Sequence, residues 1–202
     1  MAEITADTRN PTRSEPETTV LVPQPSPHDL GLEERLGRVR LLALDVDGTL
    51  TAGAIVLGPE GEIVVFDVHD GQGLVWLRRA GVRIAWITGR GSAALSRRAA
   101  ALSIDVLREH VDEKARALAD VQRELGIAVE ETASMGDDLP DLGLAARSAV
   151  FFAPANAREE VRARADLCTA AAGGRGAVRE VCERLLRARG SWQQIVDAAL
   201  GR

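Results

Sequence analysis

Arg40-Leu41-Leu42-Ala43-Leu44-Asp45-Val46-Asp47-Gly48-Thr49-Leu50 is the stretch that decides how this chain folds. Its four apolar residues have the length and bulk of a buried strand. Gly48 then allows a sharp turn at the carboxyl end of that strand. In an open α/β sheet, that edge is where ligands bind. Two carboxylates, Asp45 and Asp47, are costly to place there unless something positive joins them. A hard divalent cation such as Mg²⁺ is the natural partner.

Two plainer readings compete. A surface Asp-Gly turn is common, but it leaves the buried run unexplained. A calcium loop needs a bidentate Glu at its twelfth position, where Val56 stands; Thr49 at the fifth and the early glycine also disagree. Metal-assisted chemistry is therefore the leading expectation.

The 202 residues suit one domain with a real core. At 46 % apolar the chain sits near the globular norm, and its net charge of −5 argues against a nucleic-acid face. No apolar run approaches a membrane span, and the acidic start (Met1 to Asp7) is not a signal peptide. Cys168 and Cys182 have no metal-ligand spacing and read as reduced core thiols of a cytoplasmic protein. Residues 1–30 carry five of the eight prolines amid Thr, Ser and Glu, a composition expected to stay disordered. Residues 31–202 form the expected single domain.

Downstream of Asp47, Ala54 to Leu57 and Ile63 to Phe66 read as the arms of a β-hairpin. Pro59 and Gly61 fit positions i+1 and i+3 of a type I turn. Neither arm alternates polar with apolar, so both faces want cover. Packing against another subunit is expected; the alternative is that the hairpin folds back on its own core. From Asp70 onward helices and strands alternate. Strands are expected at Val82–Ile87, Ile104–Leu107, Thr132–Met135, Ala149–Phe152 and near Leu167. Asp112 is expected to cap the helix that ends near Leu125. Such alternation predicts an α/β fold with a doubly wound, mostly parallel sheet.

Four polar groups then fall at the sheet's ligand edge: Asp45 with Asp47, Thr88, Lys114, and Asp137 with Asp138. A carboxylate can attack phosphorus to give an aspartyl-phosphate, while a second acid serves the leaving alcohol and then water. Thr88 can offer phosphate its hydroxyl and backbone N–H. Lys114 sits in a helix first turn, where the dipole disfavours a cation by roughly 0.3–1 kcal/mol. Alone that residue means little; beside three other motifs in order it reads as a phosphate clamp.

The order D-x-D-G-T, Thr, Lys, G-D-D-x-x-D resembles the haloacid dehalogenase superfamily of phosphohydrolases. The resemblance implies Asp45 as nucleophile and Asp47 as acid/base. It also implies Mg²⁺ on Asp45, Asp137 and the Asp47 carbonyl, phosphate on Thr88, Gly89 and Lys114, and support from Asp138 and Asp141. Within that superfamily, Val39 to Arg189 looks like the 3-deoxy-D-manno-octulosonate 8-phosphate (KDO 8-phosphate) phosphatases. The likeness rests on the hairpin, Phe66 to Gly73, Ile87-Thr88-Gly89-Arg90, Ala153 to Ala157, and Gly173 to Glu180. It implies a capless homotetramer whose hairpins form a shared barrel. The chain departs from the family pattern at Ala52, His69, Gln72 and Gly91.

The implied substrate is a keto-sugar acid phosphate, with Arg90 and Arg98 as candidates to meet its carboxylate. A nonulosonate 9-phosphate is the alternative substrate, and Arg90, where those enzymes carry Glu, favours the octulosonate. A non-catalytic oligomerisation module associated with sugar-nucleotide synthesis is the rival from another class.

Overall fold

The computed structural model describes residues 30–59 and 61–202. The proline-rich tail expected over 1–30 lies outside the described residues except for Leu30. A helix α1 (Leu32–Gly37) leads into strand β1 (Leu41–Leu44), followed by a hairpin of β2 (Val56–Gly58) and β3 (Gly61–Ile63). Then come α2 (Val68–Arg79), β4 (Arg83–Ile87), α3 (Ala93–Ala101), β5 (Val106–Arg108), α4 (Lys114–Leu125) and β6 (Thr132–Met135). A 3₁₀ turn at Leu139–Asp141, α5 (Leu142–Ala145), β7 (Val150–Ala153), α6 (Glu159–Arg162), β8 (Leu167–Cys168), α7 (Ala177–Ala188) and α8 (Trp192–Ala199) complete it.

Six strands form one parallel sheet in the order β5-β4-β1-β6-β7-β8. The unbroken apolar run of β1 is explained by its place in the middle. Leu42 and Leu44 join the core under α1, α2, α3 and α7, while Leu41 and Ala43 join the core under α4 and α5. Ile84 and Trp86 against Ala85 and Ile87 repeat this division in β4. A strand covered on both faces has no solvent side on which to place polar residues. Each fully buried Leu or Ile contributes about 1.5–3 kcal/mol. Among the described residues no helix is long and apolar enough to cross a membrane.

Several expectations shift. The hairpin forms, with Val56 opposite Ile63 and Gly58 opposite Gly61, but its arms are three residues each. Most of its apolar side chains face away from the core: Ile55, Leu57, Ile63 and Val65 are exposed, Leu57 at 81 %, while Phe66 at the end of the second arm packs on Trp86. Helix α2 starts before Asp70, because the Asp67 carboxylate accepts the His69 N–H at 2.6 Å and caps it. Asp112 does not cap α4; Glu113 takes that place with no side-chain hydrogen bond. Of the two cysteines, Cys182 is a core thiol, whereas Cys168 on the edge strand is exposed.

Candidate active site

The carboxyl ends of β1, β4 and β6 converge, and the loops leaving them carry the polar residues. Asp45 ends β1 almost fully buried, and its Oδ1 accepts Lys114 Nζ at 2.6 Å. The same ammonium donates to Asp141 Oδ1 at 2.5 Å. Two buried ion pairs explain why a lysine occupies the first turn of α4. At an effective dielectric near 20, one pair at 4 Å already contributes about 4 kcal/mol, several times the helix-dipole penalty.

Asp137 follows β6, and oxygens of Asp45, Asp137 and Asp141 lie within 4.8 Å of one another. Asp141 accepts three hydrogen bonds: its Oδ2 takes the N–H groups of Asp137 (2.9 Å) and Asp138 (3.1 Å), and its Oδ1 takes Lys114. Asp137 Oδ1, by contrast, is buried without a hydrogen-bond partner among the described residues. Asp138 is exposed and spends its carboxylate on the Leu139 N–H, capping the 3₁₀ turn, and does not join the cluster. Gly48 makes this packing possible. Its φ is +92°, and a Cβ there would lie 2.1 Å from Asp137 Oδ2.

Crowding three carboxylates around one ammonium perturbs their titration. Burial, then the charge of Asp141, pushes the Asp45 carboxyl up to about 8 despite Lys114. Burial, followed by Asp141 and Asp138, pushes Asp137 up to about 6. Burial pulls Lys114 down, but Asp45 and Asp141 outweigh it and hold the ammonium above the usual lysine range. Three acids facing one base leave a surplus of negative charge, and an orphaned carboxylate oxygen faces it. A hard divalent cation with oxygen ligands fits that donor set.

Asp47 lies apart from the cluster, half-buried, with Oδ2 3.9 Å from Arg90 Nε. Its backbone carbonyl accepts no hydrogen bond from the described residues. Arg90 reaches across to the hairpin, donating to Glu62 Oε2 at 2.7 Å. Thr88 is buried at the end of β4, but its backbone N–H is already given to the Arg108 carbonyl at 2.9 Å. Only its hydroxyl is available, and that accepts the Arg90 N–H at 3.1 Å. The Gly89 N–H has no acceptor among the described residues. Arg98 points elsewhere: its guanidinium sits 5.8 Å over the Phe66 ring and packs against Gly71.

Two contributors carry no recognisable chemistry in one dimension. Asn156, after β7, donates to the Gly48 carbonyl at 3.0 Å and accepts the Gly173 N–H at 2.6 Å. Asp70, buried in α2, accepts the Arg179 N–H at 2.7 Å at the start of α7. Both stand in segments that carried the family likeness, which was the only available signal.

Comparison with known proteins finds relatives over most of the chain. Residues 96–180 match the family described as haloacid dehalogenase-like hydrolases. The chain is 41 % identical over 166 residues to the 3-deoxy-D-manno-octulosonate 8-phosphate phosphatase of Salmonella typhimurium, covering 82 % of this chain and 87 % of that one. It is 34 % identical to the Haemophilus influenzae enzyme of the same name, covering 84 % and 94 %. The crystal structure of the Moraxella catarrhalis phosphatase, in complex with magnesium ion, phosphate ion and KDO, superposes with a TM-score of 0.80. Its identity is 39 %, covering 82 % of this chain and 96 % of that one. The cobalt-bound Haemophilus influenzae structure gives a TM-score of 0.76 at 36 % identity, covering 78 % and 93 %.

Proposed function

We propose that this chain, a member of the 3-deoxy-D-manno-octulosonate 8-phosphate phosphatase family of haloacid dehalogenase-like hydrolases, cleaves that sugar-acid phosphate to 3-deoxy-D-manno-octulosonate and phosphate with Mg²⁺. The observation that carries the reading is the buried Asp45–Lys114–Asp141 contact beside the unpartnered Asp137 oxygen, at the ligand edge of the sheet.

Asp45 is the nucleophile. A carboxylate oxygen attacks phosphorus; the new O–P bond forms as the bond to the sugar oxygen breaks, giving an aspartyl-phosphate. Asp47 gives its proton to the departing sugar oxygen. As a carboxylate it then takes a proton from the water that attacks the aspartyl-phosphate, which frees phosphate and restores Asp45. Lys114, the Thr88 hydroxyl and the Gly89 N–H hold the phosphate oxygens. Asp141 keeps Lys114 in place, and Asp138 supports the turn that carries Asp141.

Asp45, Asp137 and the Asp47 carbonyl would hold Mg²⁺, with Asp141 beside them holding Lys114 and the N–H groups of Asp137 and Asp138. When bound, the ion supplies neutralisation of the crowded carboxylates and polarisation of the phosphate. The exposed apolar hairpin supports a homo-oligomer, most simply the family's tetramer, because closing hairpins on an axis covers both faces. Two unpaired cysteines support a cytoplasmic setting. Residues 31–202 act as one capless phosphatase domain, since only the short hairpin separates β1 from α2.

The test is phosphate release from a panel of sugar-acid phosphates, including nonulosonate 9-phosphates, with and without a chelator. The octulosonate 8-phosphate should be preferred, chelation should stop turnover, and Asp45→Asn should abolish it. Chelator-resistant activity, or a D45N protein retaining a tenth of wild-type turnover, would sink the assignment.

A further inference from the structure

We propose that Asp70 is a positioning residue of this reaction: from α2 it caps α7 and, through the glycine loop that precedes α7, sets the Gly48–Thr49 turn that follows Asp47. The inference rests on the function proposed above, whose steps give Asp70 no part. It starts from a carboxylate buried between two helices and bonded to backbone N–H groups.

Helix α7 has no cap of its own. Gly176 stands at its N-cap with φ +99° and no side chain to accept the first N–H groups. Asp70, almost fully buried in the first turn of α2, supplies that acceptor from another helix. Its Oδ1 takes the Arg179 N–H at 2.7 Å, the bond that an N-cap Asp would make to the third helical residue. Its Oδ2 faces the Gly176 N–H at 3.4 Å. The two helices are already in close contact, since a Cβ on Gly73 of α2 would lie 3.1 Å from both Cys182 Cβ and Arg179 Cδ of α7. The charge is held at a cost to stability. Burial is the largest cause that pushes the Asp70 carboxyl up to about 6; Asp67 adds to the rise, and the two N–H groups and His69 only offset it in part. Asparagine would accept the Arg179 N–H with no buried charge. Proteins forgo stability in this way where function requires it.

The function lies in what precedes α7. The Gly174 N–H donates to the Thr49 carbonyl at 3.0 Å, and the Gly173 N–H to Asn156 Oδ1 at 2.6 Å. Asn156 in turn bonds the Gly48 carbonyl at 3.0 Å. The contact admits no side chain: a Cβ on Gly173 would lie 1.7 Å from the Gly48 carbonyl oxygen, and one on Gly174 2.5 Å from the Thr51 carbonyl carbon. A shift in the first turn of α7 is therefore passed by backbone contact to Gly48 and Thr49. Gly48 follows the Asp47 carbonyl and packs against Asp137, so the same shift disturbs both of these Mg²⁺ donors.

The experiment compares wild type, Asp70→Asn and Asp70→Ala at pH 8, where the wild-type carboxyl is ionised. Three quantities are read: kcat on the sugar-acid phosphate and on p-nitrophenyl phosphate, the Mg²⁺ half-saturation of the rise in Tm, and amide hydrogen exchange over residues 46–51 and 173–176. An amide accepts at one oxygen only, so D70N keeps one of the two contacts and D70A keeps neither. D70N should melt at or above wild type and still lose about 10-fold in kcat, whereas D70A should lose about 100-fold. The losses should be equal on the two substrates, because the turn is disturbed and the sugar contacts are not. Mg²⁺ half-saturation should rise about 10-fold in D70A, and both segments should exchange faster in both variants. Should D70A not fold, D70N decides. Wild-type kcat and Mg²⁺ half-saturation in D70N, a loss confined to the sugar-acid phosphate, or faster exchange at 173–176 without any at 46–51 would each overturn the proposal. A wild type that releases no phosphate from either substrate ends the function proposed above and this role with it; an active wild type with indifferent Asp70 variants ends the role alone.

Discussion

Gly48→Ala isolates the packing on which the carboxylate cluster depends. The new Cβ would stand 2.1 Å from Asp137 Oδ2 and 2.4 Å from its Cγ, whereas non-bonded heavy atoms settle near 3.5 Å. Asp137 must therefore move by more than about 1 Å. Displacement of that size in a site positioned for reaction costs on the order of 100-fold in rate. Separately, a non-glycine residue at φ +92° carries strain of about 1–2 kcal/mol. In a domain of this size that lowers Tm by roughly 2–8 °C. Gly53→Ala supplies the control, because φ there is +73° but the added Cβ meets nothing closer than 3.4 Å. G53A should share the loss in Tm and keep turnover within a few-fold of wild type. The assays are thermal melts across a Mg²⁺ titration and initial rates on the sugar-acid phosphate. G48A should lose both the Mg²⁺-induced rise in Tm and about two orders of magnitude in kcat. Wild-type kcat with wild-type Mg²⁺ half-saturation in G48A would refute the reasoning, since Asp137 would then tolerate displacement.

Three further outcomes are expected. Lys114→Met leaves Asp45 and Asp141 buried without their cation, and such uncompensated charge costs roughly 3–5 kcal/mol; denaturant titration should find that loss, and find it smaller in Mg²⁺ than in chelator. Leu57→Asp, on the exposed hairpin, should convert an oligomer to monomer by light scattering and cut activity on the sugar-acid phosphate more than on p-nitrophenyl phosphate; a monomeric wild type ends the oligomer proposal. Asp70→Asn addresses pH: burial pushes this carboxyl from 3.8 up to about 6. Because the folded-state value is the higher one, the stability it contributes is complete below about pH 3.8 and lost as pH rises through 6. Asparagine keeps an acceptor for Arg179 and never ionises, so D70N should gain on wild type by up to roughly 3 kcal/mol between pH 4 and 7. A gap that does not vary with pH, measured by urea unfolding, contradicts that account.

The legible parts of this protein are those whose cause is local. Leu41 to Gly48 announces a buried strand, a turn and paired acids within eight positions, and the structure seats it at the centre of the sheet. Lys114 was legible as an anomaly, a cation where a dipole opposes it, and Asp45 and Asp141 supply the reason. What escaped was tertiary. Asn156 acts on Gly48 across 108 residues and Asp70 on Arg179 across 109, and no periodicity signals such a contact. Arg98 looked available because its helix position was known but its direction was not. The Thr88 N–H looked free because its acceptor, Arg108, lies on a neighbouring strand whose register the sequence leaves open.

The central position of β1 also governs how the protein can be made. Its register partners are Arg83 to Trp86 on one side and Thr132 to Met135 on the other, so β1 waits for neighbours that emerge far later. Asp45 and Asp141 lie 69 and 27 residues to either side of Lys114. At ribosomal speeds of about 5–20 residues per second, that separation is roughly 5–20 s of translation. During this interval the nascent chain holds an apolar strand with open edges, the kind of segment that pairs with the wrong partner. The mutually repelling acids, meanwhile, remain in water. They meet only when β6 docks, so vectorial synthesis defers the electrostatic strain of the site until β1, β4 and α4, which confine the acids, have been translated.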